Sequence, residues 1–121
     1  MTIDIQAARQ SFQARLQKKS KEREIIRGKA LQAARTIAPT IVAKYPAVKA
    51  AYLFGSILRP GAFRPDSDID IAIEGGSAED YFALWHKLED ALPDWFIDLR
   101  DLPPDTRFTR RVHETGEKIY G

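Results

Sequence analysis

The sequence has no cysteine among its 121 residues, which excludes a disulfide framework and a thiolate zinc site. Secreted domains of this size usually need such staples, so the cytoplasm is the expected compartment. Long apolar runs are also absent. No stretch approaches the roughly 18 apolar residues of a membrane span, and the opening MTIDIQAARQ carries acid and polar groups where a secretory leader is basic and then apolar. A soluble chain without a membrane-spanning helix is expected. No P-loop or dinucleotide fingerprint occurs. The two histidines, His86 and His113, lie in helical segments without an Asp or His partner at ligand spacing and read as surface residues. There are no internal repeats or low-complexity tracts.

What is present suits one ordinary globular domain: 44% apolar and 30% charged residues, in a chain long enough to bury roughly two-thirds of its unfolded surface. Net charge is only +2, but residues 1–35 hold nine Lys/Arg against three Asp/Glu, whereas residues 36–121 hold ten against fourteen. A basic arm, residues 1–45, is therefore expected before an acidic body, residues 46–121. Such an arm can contact nucleic acid or an acidic protein surface. The stretch QKKSKERE is also ordinary exposed-helix composition, and composition alone favours that reading.

From Asp4 to Ala38 good helix formers dominate. Ala8, Phe12 and Leu16, then Ile26, Ala30, Ala33, Ala34 and Ile37, recur at helical spacing. One long helix or two is predicted, with a possible break between Lys18 and Arg27, where apolar residues thin out, and an end by Tyr45. Val48 to Phe54 reads as a buried strand that stops at a Gly55-Ser56 turn. After a loop with Pro60, Gly61, Pro65 and Asp66, a second strand is expected over Asp68–Glu74, with Ile69, Ile71 and Ile73 on one face and Asp68, Asp70 and Ala72 on the other. Ser77 and Asp80 cap a helix whose stripe of Tyr81, Leu84, Trp85, Leu88 and Leu92 is core rather than a base-stacking platform. A third strand, Trp95–Arg100, sets Phe96, Asp98 and Arg100 opposite Trp95, Ile97 and Leu99. Pro103-Pro104 opens a short final helix that Gly116 stops, and Glu117–Tyr120 adds an edge strand. The fold class is α/β (α+β): a small mixed sheet of three to four strands with packed helices, preceded by a long helical arm.

The chemistry concentrates in LFGSILRPGAFRPDSDIDIAIEG, residues 53–75. An Asp-x-Asp on a strand puts two carboxylates roughly 6–7 Å apart on one face, where they repel by about 2.5 kcal/mol at an effective dielectric of about 20. A hard divalent ion removes that penalty, and Mg²⁺ is commonly held by one or two carboxylates plus substrate phosphates. Gly55 lets backbone approach a ligand, and the N–H groups around Ser56 form an anion site for a polyphosphate if a helical turn starts there. Asp98 stands at a strand interior and is a candidate to hold a second ion and take a proton from an attacking hydroxyl. Arg59 and Arg64, in the intervening loop, are candidates to contact a triphosphate, and Asp66 reads as a turn residue. Each feature has a plain alternative, since Asp-x-Asp is frequent on edge strands and Gly-Ser is a common turn. Their conjunction is informative.

Residues 53–74 resemble the signature of the DNA polymerase β-like nucleotidyltransferase superfamily, Gly-Ser, a loop, then Asp-x-Asp, in its minimal form, MNT. The helix over 78–92, the strand with Asp98 and the ending HETGEKIYG extend the resemblance to about residues 46–121. It implies that Asp68 and Asp70 bind two Mg²⁺, that Asp98 completes the triad, and that Gly55 and Ser56, with Arg59 nearby, hold the phosphates of ATP. Eleven residues separate Ser56 from Asp68, where the family commonly has ten, through an extra Pro60; loop length is tolerant. Stand-alone domains of this kind resemble the antitoxin of bacterial MNT/HEPN toxin–antitoxin pairs. The resemblance thus implies transfer of AMP from ATP to a tyrosine of a HEPN ribonuclease toxin. Alternatives are a module that inhibits its partner by contact, or transfer to a small molecule or an RNA end, whose enzymes generally add a second domain.

Overall fold

The computed structural model describes residues 4–121; residues 1–3, where the expected arm begins, lie outside the described residues. Those described form three α-helices, one 3-10 turn and a four-stranded mixed sheet, within the three to four strands predicted, although the third strand runs over Ile97–Asp101 rather than Trp95–Arg100. Helix α1 spans Ile5–Val42 and is capped by Asp4, whose side chain accepts from the Ala7 N–H. It has no break at Lys18–Arg27, because Lys, Arg and Glu are good helix formers, Ile26 packs against the core, and Glu24 pairs with Arg27 one turn on, at 2.9 Å. Nor does Pro39 end it. Proline removes only one backbone donor, and here it sits in the last turn, where the helix has a single full turn left to run.

The sheet order is β3-β2-β1-β4, with β1 Val48–Phe54, β2 Ile69–Gly75, β3 Ile97–Asp101 and β4 Glu117–Tyr120. Strand β1 is antiparallel to β2 and β4, and β2 is parallel to β3. The parallel step requires a crossover, supplied by helix α2, Ala78–Ala91. Ser77 caps its start as anticipated, and Asp80 accepts from the Ser77 N–H in return, which completes a capping box. Helix α3 spans Arg107–Thr115 and starts later than the proline pair suggested. Thr106 caps it, and Thr109 donates to the Pro103 carbonyl at 2.6 Å, so Pro103-Pro104 form the lead-in turn.

Strand alternation divides the core. Leu53, Ile69, Ile71, Ile73, Ile97 and Leu99 face α1 and α2 and are buried. Ala30, Ala34, Ala38 and Val42 form the matching ridge of α1, four residues apart, and their small side chains let the helix lie close to the sheet. On the other face Ala72, Leu102 and Val112 form a smaller cluster under α3, flanked by Tyr52 and Phe54. Arg35 of α1 grips Glu117 of β4 with two hydrogen bonds, 2.7 and 2.6 Å, which lowers the Glu117 pKa and raises that of Arg35. No helix is long and apolar enough to cross a membrane among the described residues.

Candidate active site

The second face of the sheet gathers the acids singled out in the sequence. Asp70 on β2 lies in register with Asp98 on β3, and Phe54, the last residue of β1, lies opposite Asp70. Neighbouring parallel strands are about 4.8 Å apart, so two carboxylates share one small area. Asp68 is exposed and directly precedes β2 rather than lying in it; the strand starts at Ile69, whose N–H donates to the Phe96 carbonyl at 2.9 Å. The three charges act on one another. Burial, reinforced by Asp98 and then by Asp68, pushes the Asp70 pKa from the ordinary 3.8 up to about 6, and Arg100 and Arg59 oppose this.

At the end of β1 the chain turns into a 3-10 helix, Gly55–Leu58. Gly55 has φ +77°, and a Cβ at this position would lie 2.3 Å from Asp70 Oδ2. The turn therefore presses against the carboxylate, and glycine alone leaves Asp70 where it stands. The first N–H groups of such a turn have no partner within it. Two residues of α1 hold the turn in place: Arg27 donates to the Ile57 carbonyl at 3.1 Å, and Glu24 accepts the Gly61 N–H at 2.6 Å. The loop to Asp68, one residue longer than the family commonly has, is anchored by fully buried Phe63 and closed by Ser67, which accepts from the Arg64 N–H at 2.8 Å.

Arg59, exposed at the end of the 3-10 turn, lines a cavity of about 400 Å³ with Gly55, Phe54, Phe108, Arg111 and Thr115. Phe108 meets Phe54 edge to face, with centroids 5.3 Å apart. Phe108 and Arg111 were not anticipated, since no local pattern reveals that α3 lies over the Gly55 turn. Arg100 was missed although it was readable. It stands two residues after Asp98 on the same strand face and donates to both of its carboxylate oxygens, at 3.1 and 3.3 Å. Arg64 carries no side-chain pairing to the acids, and Asp66 sits in an exposed turn, as expected. His86 is exposed, as expected, but it does have an acidic partner: Asp90, four residues on, lies 3.5 Å away. His113 is exposed, as expected of a surface histidine, and it pairs with Glu74 of β2 and packs on Tyr52, a partnership across 39 residues that spacing along a helix cannot show.

Helix α2 fixes the strand that carries Asp98. The Tyr81 hydroxyl donates to the Leu99 carbonyl and Trp85 Nε1 donates to the Ile97 carbonyl at 2.9 Å. These are the outward carbonyls of an edge strand on either side of Asp98, and covering them also blunts the edge. Trp85→Phe leaves the Ile97 carbonyl unpaired at a cost of about 1 kcal/mol. Thermal unfolding of the variant is expected to shift down by about 3–6 °C; an unchanged midpoint would show that the bond adds nothing.

Asp68, Asp70 and Asp98 offer only hard oxygen donors, which suits Mg²⁺ rather than a soft metal. Among the described residues no three acids or histidines close into a ligand cage. An ion that keeps its waters and shares substrate phosphates does not require one. The raised Asp70 pKa reflects first its burial and then the neighbouring Asp98 and Asp68 carboxylates, which Arg100 and Arg59 offset only in part.

Comparison with known proteins agrees with this architecture. The chain is similar to a crystal structure of a toxin–antitoxin with AMP-PNP, at 28% identity and a TM-score of 0.53, covering 78% of this chain and 73% of that one. It is similar as well to a mutant form of the toxin–antitoxin MntA-HpeT, at 25% identity and a TM-score of 0.51, covering 78% and 72%. No curated protein matches the sequence. The description "Polymerase beta, Nucleotidyltransferase" matches residues 37–121, and the chain belongs to that nucleotidyltransferase family.

Proposed function

We propose that this protein is a Mg²⁺-dependent adenylyltransferase that moves AMP from ATP to a hydroxyl, a tyrosine of a HEPN-type toxin, and acts as the antitoxin of the pair. The observation that carries this reading is the meeting of Asp70 and Asp98 in register beside the Gly55 turn. Its similarity to a toxin–antitoxin with AMP-PNP supports both the nucleotide and the kind of partner.

In this reaction the tyrosine oxygen bonds to the α-phosphorus as the bond to the departing pyrophosphate breaks, and the hydroxyl proton must go to a base. Asp98 takes that role. It stands on the open sheet face, 29% exposed at its side chain, and Arg100 holds its orientation. The N–H groups around Ser56 and the Arg59 guanidinium receive the phosphates, while Phe54 and Phe108 give the cavity an apolar wall. Magnesium held by Asp68, Asp70 and Asp98 would neutralise charge on the phosphates. The protein supplies position and fixed charge, which account for most of the barrier lowering in such transfers.

Incubation with labelled ATP, Mg²⁺ and the purified product of the neighbouring gene tests the reading, with Asp68→Asn/Asp70→Asn alongside. Label on the neighbour that disappears with the variant is expected. Binding without label would favour inhibition by contact.

A further inference from the structure

Residues 5–22 of α1, about 27 Å of helix at 1.5 Å per residue, are exposed throughout. Along this overhang Ile5, Phe12 and Leu16 leave 65%, 55% and 50% of their surface open. A surface helix normally turns such a stripe toward a core. Here the stripe is in phase with the part of α1 that does so. Ala8 and Ile26, Phe12 and Ala30, and Leu16 and Ala34 are each 18 residues apart, which is about five full turns. One apolar line therefore runs along the helix, packed on the sheet from Ala30 onward and bare before Lys18.

The place where the helix leaves the body is equally specific. Arg27 and Glu24 touch Ile57 and Gly61 at the phosphate turn, and Val42 lies close in sequence to the start of β1. From Arg27 to Val42 the helix runs about 23 Å, the length of the seven-residue β1 at roughly 3.3 Å per residue. The overhang thus extends beyond the end of the sheet that carries Gly55, Asp68, Asp70 and Asp98. Any macromolecule that presents a hydroxyl to those acids must sit at that end.

We propose that the overhang is a docking element for the acceptor protein, inserting Phe12 and Leu16 into an apolar groove with an acidic rim. This rests on the transfer reading above only for where the partner's hydroxyl goes. Charge defines the rim: residues 5–22 carry Arg9, Arg15, Lys18, Lys19 and Lys21 against Glu22 alone. The Arg15 guanidinium lies over the Phe12 ring, 6.0 Å from its centroid, so positive charge borders the stripe directly. Two such arms side by side would repel, which disfavours a second copy. Phosphate binding needs no row of large apolar side chains, which disfavours nucleic acid. Helix-in-groove recognition by a basic amphipathic helix fits both features.

The test uses the full chain with Phe12→Glu/Leu16→Glu and the milder Phe12→Ala/Leu16→Ala, sites that touch no core. Helicity and the stabilisation by MgATP serve as checks that body and active site are intact. The probe is the purified neighbouring-gene product. The glutamate variant is expected to raise the KM for that protein at least tenfold with kcat unchanged, the alanine variant to do so less, and wild-type binding to weaken with salt. If no label is transferred by the wild type, calorimetry of the two proteins without ATP reads the same contrast, so transfer and docking fail separately. Equal affinity of variants and wild type, or no binding by the wild type, overturns the proposal. So does a wild-type dimer that the substitutions make monomeric, or salt-dependent capture of mixed-sequence RNA that displaces the partner.

Discussion

Asp70→Asn is expected to abolish nucleotide transfer and at the same time to make the unliganded protein more stable. The carboxyl sits half-buried beside Asp98 and Asp68, and its pKa stands at about 6 instead of 3.8. A group whose folded-state pKa exceeds its unfolded value holds more protons in the folded state between the two. Its stabilising contribution is therefore complete below about pH 4, declines as pH rises, and is gone above about pH 6. At neutral pH the fold bears the full cost of the ionised group. The interval converts to roughly 3 kcal/mol, which solvent screening of a half-exposed carboxyl reduces to about 1–2 kcal/mol. Asparagine keeps the shape and removes the charge, so the variant should unfold about 3–10 °C higher at pH 7.5. Its advantage should shrink to nothing near pH 4.

Ligand reverses the order. MgATP should raise the midpoint of the wild type by linkage and leave Asp70→Asn nearly unmoved, while transfer falls at least about 10³-fold, as when a preorganised charge-stabilising group is lost. Thermal melts at pH 4 and 7.5, with and without MgATP, measure all of this. A variant less stable than wild type at pH 7.5 would mean that Asp70 is held by contacts that outweigh the repulsion. The site stores instability in exchange for charge density, which is where stabilising substitutions commonly cost function.

Much of this was legible because local rules decide it. Strand β1 has the bounds that Val48 to Phe54 suggest, since an apolar aromatic run stopped by Gly-Ser has few other readings. Asp70 and Asp98 were recognisable as acids on strand faces, and the resemblance brought them together; the parallel register shows them as direct neighbours. What the sequence obscured was tertiary. The stretch Lys18–Arg27 is polar apart from Ile25 and Ile26, but Glu24 and Arg27 have a task there, holding the Gly55 turn and the loop that follows it. The packing of Phe108 on Phe54 and the pairing of His113 with Glu74 depend on where α3 lands. Helical periodicity gives the buried stripe of such a helix and says nothing of which strand it meets.

Gly55→Ala should separate backbone strain from site geometry. Gly55 has φ +77° and Gly61 has φ +80°, so alanine at either costs about 1–2 kcal/mol for the left-handed backbone. Only the surroundings differ. Nothing lies within 4 Å of a Cβ at Gly61, whereas at Gly55 it would stand 2.3 Å from Asp70 Oδ2 and 3.2 Å from its Cγ. Ordinary contact needs about 1 Å more than this, and the atom that must yield is the end of a side chain, so the fold survives by turning the Asp70 carboxylate away. Stability should fall to a similar extent in both variants. Activity should not: a displacement of about 1 Å in a positioned group can cost on the order of 10²-fold in rate, so Gly55→Ala loses at least that while Gly61→Ala keeps most of its transfer. Parallel melts and labelled-ATP assays measure the difference. Equal activity in the two variants would show that the approach of the turn to Asp70 does not matter for the reaction, and that glycine is required at residue 55 for its backbone angle alone.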